Sequence, residues 1–144
     1  MRRKIIAVVG AGTAEEVGRL IALRGALLVC GGLSGVMEAA ARGARESGGT
    51  TVGILPQHHC NDANPYIDVP VATGFGEGRN VVLVRTADAL IAVGGEYGTL
   101  SEISFALKAG KTVVGIDTWD IEGVIKADSA EEAVRKAFAP LHGT

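Results

Sequence analysis

The fold is decided by a unit that the chain uses twice: "VCGGLSGVMEAAARGARESGGTTVGI", Val29–Ile54, and "AVGGEYGTLSEISFALKAGKTVVGI", Ala92–Ile116. In each copy an apolar run breaks into glycines, a helical pattern follows, and a second apolar run closes the unit. Gly31, Gly32 and Gly35 of the first copy match Gly94, Gly95 and Gly98 of the second. Short apolar runs without alternation suit strands covered on both faces, so each copy reads as a strand, a crossover helix and a parallel strand. Such units are right-handed and build an open, doubly wound sheet whose ligand site lies beyond the carboxyl ends of its strands. The expected class is therefore α/β, a Rossmann-like open parallel sheet with helices on both faces in three layers.

The rest of the chain extends this pattern. "KIIAVV", "ALLVC", "TTVGIL", "ALIAV" and "TVVGI" read as strands, with a further short strand at 68–71. Helical spacing joins Val17, Leu20 and Ile21, then Met37, Ala40, Ala41 and Ala44, then Leu100, Ile103 and Leu107. Three S/T-x-x-E capping boxes mark helix starts: Thr13 with Glu16, Thr99 with Glu102, and Ser129 with Glu132. The segment "GRNVVLVRTAD" is locally strand-like, but its place between two strands asks for a crossover helix. As a helix, its apolar residues at Val81 to Val84 face more than one side, which calls for a subunit interface and a homo-oligomer, a dimer or tetramer.

Composition narrows the function. A chain of 144 residues, 47% of them hydrophobic, supports one domain over residues 1–144 with a sizeable core. Its 14 basic and 16 acidic residues leave no electrostatic footprint for nucleic acid. The apolar run near the N-terminus, Ile5 to Val9, is too short for a signal peptide or a membrane span. Two cysteines, Cys30 and Cys60, do not make a disulfide framework, and a cytoplasmic protein with reduced thiols is expected.

Three glycine-rich loops follow strands: "GAGT" with Gly10 and Gly12, "GGLSG" with Gly31, Gly32 and Gly35, and "GGEYG" with Gly94, Gly95 and Gly98. A glycine-rich turn opening a helix exposes backbone N–H groups at the positive end of the helix dipole and suits a phosphate; the alternative is that the glycines merely permit tight turns. The third glycine of a dinucleotide fingerprint is Glu15 here, and no GxxxxGK[ST] loop exists. Glu102 either caps its own helix opposite Thr99 or serves chemistry. Arg79 either clamps a phosphate or carboxylate or is an ordinary surface arginine. His58, His59 and Cys60, with Asp62 nearby, are consecutive and cannot readily converge on one ion, so no metal site is expected.

The ordered set "GGLSGVMEAAARGA", "GEGRN" and "GGEYGTLSE" resembles the LONELY GUY (LOG)-type superfamily, once called possible lysine decarboxylases, and in particular its branch of molybdenum-cofactor carrier proteins. The resemblance covers most of the chain. It implies a Rossmann-like sheet, an oligomer, and a bound nucleotide, molybdenum cofactor or related phosphorylated small molecule. In the cytokinin-activating branch the motif PGGxGTxxE and the arginine of MxxRK serve hydrolysis of a nucleoside monophosphate, which implies Arg79 and Glu102 as a catalytic pair and Gly94, Gly95, Gly98 and Thr99 as the phosphate loop. Here Gly94 stands for the proline, Glu96 for the second glycine, Gly76 for the methionine and Asn80 for the lysine. These departures favour the carrier-like reading, a binding protein for a nucleotide or pterin-type ligand, over a phosphoribohydrolase.

Overall fold

The structure is a computed structural model that describes residues 2–10 and 14–141. Along the chain run β1 (Ile5–Gly10), α1 (Glu15–Leu23), β2 (Leu27–Cys30), α2 (Val36–Glu46), β3 (Thr51–Leu55), β4 (Val69–Ala72), α3 (Arg79–Thr86), β5 (Ala89–Val93), α4 (Tyr97–Lys108), β6 (Thr112–Ile116), β7 (Ile125–Lys126) and α5 (Ala130–Phe138). The strands form one sheet in the order β4-β3-β2-β1-β5-β6-β7, every pair parallel. This is the expected doubly wound sheet.

Alternation along each strand sends neighbouring side chains to opposite faces, and both faces are covered. Ile6 and Val8 of β1, Leu28 of β2 and Ile91 of β5 pack with Val17 and Ile21 of α1, Val36 and Ala40 of α2, and Val134 of α5. On the other face Ala7, Val9 and Leu90 pack with Leu83 and Val84 of α3 and with Ile103 and Ala106 of α4. Three layers result, with β1 and β5 at the centre of the sheet. No helix among the described residues is long and apolar enough to cross a membrane.

The segment with strand-like composition is helical, as its position demanded. The chain leaves the far edge at β4 and must reach β5 beyond β3, β2 and β1, and a parallel sheet permits that only by a crossover over one face. Leu83 and Val84 supply the buried side of α3, while Val81 stays 38% exposed. The strand expected at 68–71 is β4, an edge strand where Pro70 costs no ladder bond to a further neighbour. The two-residue β7 has no sequence pattern of its own.

One capping box forms as read and one does not. The Ser129 hydroxyl accepts from the Glu132 backbone N–H at 3.1 Å at the start of α5. Thr99 does not cap α4: that helix begins two residues earlier, at Tyr97, which puts Thr99 inside the first turn, where it is 6% exposed, and frees Glu102 from any capping role. The Gly95-Glu96 turn brings the chain into helical geometry before Thr99 is reached. Thr13, and with it the third capping box, lies outside the described residues; Glu16 pairs with Arg19.

Candidate ligand-binding cleft

Chain order reverses between neighbours β1 and β5, and such a switch point opens a crevice at the carboxyl edge of the sheet. The crevice measures about 320 Å³. Its walls are Val8, Val9 and Gly10 of β1, Gly31 and Met37 around the β2–α2 turn, Arg79 and Asn80 of α3, and Gly95, Glu96, Gly98, Thr99 and Glu102 from the turn and first half of α4.

Its floor requires glycine. Gly10 pairs with Val93 across β1 and β5 and has φ +114°, and a Cβ there would lie 2.0 Å from the Val93 carbonyl oxygen. The two central strands therefore meet backbone to backbone under the cleft, and a side chain at this point would force them apart.

Above the floor stands the N-terminus of α4. The first turn of a helix leaves backbone N–H groups without helical partners and carries the positive end of the dipole. At α4 the preceding residue is Glu96, and among the described residues no side chain caps it. The same holds for α2, which begins after Gly35, whereas α5 is capped by Ser129. Gly98 and Thr99 of this first turn border the cleft, and a helix N-terminus of this kind suits an anion.

Opposite α4, Arg79 reaches in from the first turn of α3. Its Nη1 donates to the Gly31 carbonyl at 2.5 Å and to the Ile54 carbonyl at 2.8 Å, so the guanidinium is fastened to the ends of β2 and β3. Burial lowers the Arg79 pKa from its ordinary value, and the Glu102 charge opposes that shift. Glu102 is the complementary group. Burial pushes its carboxyl up to about 7, the Arg79 charge opposing, and no ion pair joins the two among the described residues. The cleft therefore holds one fixed cation and one carboxyl poised between its two protonation states. Glu96, at the rim, is exposed. Burial raises the Cys30 thiol to about 11, beneath the wall and away from chemistry.

Backbone ties from outside hold the glycine turns. Thr118 Oγ1 donates to the Gly94 carbonyl at 2.5 Å, and Trp119 Nε1 donates to the Glu96 carbonyl at 2.9 Å. The Asn64 side chain donates to the Leu33 carbonyl at 2.8 Å, and the Asn64 backbone N–H bonds the Gly32 carbonyl at 2.8 Å.

Of the residues expected at the site, Gly10, Gly31, Gly95, Gly98, Thr99, Arg79 and Glu102 line one cleft. Gly32, Gly35 and Gly94 do not reach its wall: Gly32 turns against Leu55, Gly35 opens α2 at the surface, and Gly94 is engaged with Ile116 and Thr118. Gly12 lies outside the described residues. Asn64, Thr118 and Trp119 carry no local site motif, and their roles emerge only from packing; Met37 lies within the "GGLSGVMEAAARGA" motif but is not among the expected site residues. The one signal for Glu96 and Asn80 was their departure from the hydrolase motif. His58 packs on Gly74, His59 accepts from the Asn61 N–H at 3.3 Å, and among the described residues no three His, Cys, Asp or Glu gather as metal ligands.

A model of the SLOG cluster4 family matches residues 3–140. The chain belongs to the SLOG cluster4 family. Among relatives of this family member, an uncharacterized protein of Archaeoglobus fulgidus is 47% identical, over 93% of this chain and 94% of that one. A Mycobacterium tuberculosis protein named cytokinin riboside 5'-monophosphate phosphoribohydrolase is 36% identical over 115 residues, which are 74% of this chain and 62% of the relative's length. Among solved structures, the molybdenum cofactor binding protein of the phototrophic bacterium Rippkaea orientalis superimposes with a TM-score of 0.91 at 34% identity, over 98% of this chain and 99% of that one. The expected kinship with the LOG-type superfamily and its carrier branch holds.

Proposed function

We propose that the cleft holds a phosphorylated heterocycle of the nucleotide or pterin class, molybdenum cofactor included, and that the protein is a carrier-like binding protein. The observation that carries this reading is the uncapped N-terminus of α4, whose Gly98 and Thr99 donors face the same cleft as the anchored Arg79. The phosphate would take those donors, Arg79 would hold it from the other side, and the apolar Val8, Val9 and Met37 would meet the ring. Similarity along the whole length of the Rippkaea orientalis protein supports the carrier side. In this reading the chain is a single domain, works in the cytoplasm, and forms a homo-oligomer that covers Val81. Mass spectrometry of small molecules released from denatured, freshly purified protein tests it: a phosphorylated pterin or nucleotide at near-stoichiometric yield is expected, and protein that neither releases one nor binds one on addition refutes it.

One observation favours a second reading, a nucleoside 5'-monophosphate phosphoribohydrolase. Glu102 is a carboxyl in the substrate cleft near Arg79, and as a carboxylate it would stabilise the positive charge that develops on the ribose as the N-glycosidic bond breaks. Water would then complete hydrolysis to free base and ribose 5-phosphate. Incubation with AMP separates the two readings: the binding protein leaves it intact, whereas release of adenine that vanishes in Glu102→Gln establishes the hydrolase.

A further inference from the structure

We infer that Glu102 meets the ligand as a neutral, proton-carrying hydrogen-bond donor, so that the cleft takes up an anion and a proton together and selects ligands with an acceptor atom about one helical turn from the anion. This rests on the reading that an anion sits at the N-terminus of α4. Glu102 lies three residues after Thr99 and four after Gly98 on the same helix, and residues at those spacings share a face. All three line the cleft. An anion on the Gly98 and Thr99 donors is therefore a close neighbour of the partly buried Glu102 carboxyl.

The surroundings offer a carboxylate little relief. From α3, Arg79 is the one cation among the described residues lining the cleft, and its Nη1 is already engaged by the Gly31 and Ile54 carbonyls. From the turn before α4, Glu96 adds a negative group at the rim; α2 contributes the uncharged Met37; and the Cys30 thiol of β2, neutral at physiological pH, lies beneath. A ligand anion adds like charge beside Glu102, and like charges within a few ångströms favour the neutral acid. Burial, with the Arg79 charge opposing, already places that carboxyl at about 7. Bound ligand moves it further in the same direction, and the protonated oxygen donates to whichever ligand acceptor faces it. A neutral Glu102 would also be unable to stabilise a ribosyl cation, which agrees with a cleft that binds and does not cleave.

Sulfate tests this because its charge is constant between pH 5.5 and 9, so any pH dependence belongs to the protein. Titration calorimetry at each pH in two buffers of different ionisation enthalpy measures the protons taken up. The expected result is near-zero uptake at pH 5.5, uptake approaching one proton per sulfate at pH 8, and affinity falling towards a limit of about tenfold per pH unit above neutrality. Glu102→Gln is expected to bind sulfate with flat pH dependence and no uptake, and at least about tenfold more tightly than the wild type at pH 8. Wild-type binding without proton uptake overturns this inference and leaves the anion cleft standing; uptake that persists in Glu102→Gln assigns the proton to another group and also overturns it. If neither wild type nor variant binds sulfate or inorganic phosphate, the anion cleft itself fails and this inference with it. Should Glu102→Gln not fold, Glu102→Ala is measured in its place, with the same loss of uptake expected and persistent uptake again overturning the inference.

Discussion

The Arg79 guanidinium is tied to the Gly31 carbonyl at the end of β2, 48 residues earlier in the chain. A Cβ on Gly31 would sit 2.5 Å from Arg79 Nη1 and 2.5 Å from Met37 Sδ. The glycine is therefore part of how the arginine is held. Gly31→Ala is expected to keep the fold, because the colliding atoms are side-chain atoms that can move, but to displace Arg79 from its cradle. A hydrogen bond to a charged group contributes roughly 1.5–3 kcal/mol, so affinity for AMP or phosphate should fall about tenfold to a hundredfold, read by calorimetry alongside an unchanged circular dichroism spectrum. Unaltered affinity would show that Arg79 does not hold the anion.

Glu102 gives stability a defined pH dependence. Because burial raises its folded-state pKa from an ordinary 4.5 to about 7, the folded protein holds this proton more tightly than the unfolded chain does. The stability linked to it is complete below about pH 4.5 and is lost as pH rises through 7, a change on the order of 3 kcal/mol. Glu102→Gln should therefore match the wild type near pH 4 and exceed it at pH 8. Urea unfolding at both values checks this, and a variant equally stable to the wild type at pH 8 would contradict the burial of the carboxyl.

Trp119 is the one tryptophan of the chain, and its Nε1 holds the Glu96 carbonyl beside the cleft. Its ring lies 6.0 Å from that of Tyr97, the first residue of α4. Ligand binding at the α4 N-terminus should thus change tryptophan fluorescence. Trp119→Phe keeps most of the packing and removes the donor, so a several-fold loss of affinity is expected, in line with about 1 kcal/mol for a neutral hydrogen bond. Unquenched, unshifted emission on saturation with a ligand known to bind would place the ligand elsewhere.

At the far end of the chain, Ser129 caps α5. Ser129→Ala should lower unfolding stability by about 1 kcal/mol, since the Glu132 N–H loses its acceptor, and leave ligand affinity unchanged. The corresponding change at Thr99 should not behave as a lost cap. Denaturant midpoints of Ser129→Ala and Thr99→Val measured side by side would reveal the difference, Thr99→Val lowering affinity through the cleft wall.

The sheet was legible because its signals are local: unalternated runs such as Ile5–Val9 and Ala89–Val93 can be satisfied only by coverage on both faces. The repeated glycine turns were legible for the same reason, and they led to Gly10, Gly31, Gly95 and Gly98 on the cleft. Glu102 was ambiguous, because S/T-x-x-E spacing is identical whether the threonine caps or lies a turn inside the helix, and only the backbone of Gly95 and Glu96 decides which. Asn64, Thr118 and Trp119 could not be read at all. Each acts through a backbone carbonyl on a distant segment, and a carbonyl has no sequence signature.

The two copies of the repeated unit have come to present opposite polarity to a shared space. At the first turn, Gly31 offers its carbonyl oxygen, and what that acceptor binds is a positively charged side chain of the protein itself. At the second, Gly98 and Thr99 offer donors, left for a molecule from outside. The same strand-turn-helix unit thus serves once as the mount for a cation and once as a row of donors across from it. Substitutions in "GGLSG" should then change how strongly a ligand is held, and substitutions in "GGEYG" which ligand is held.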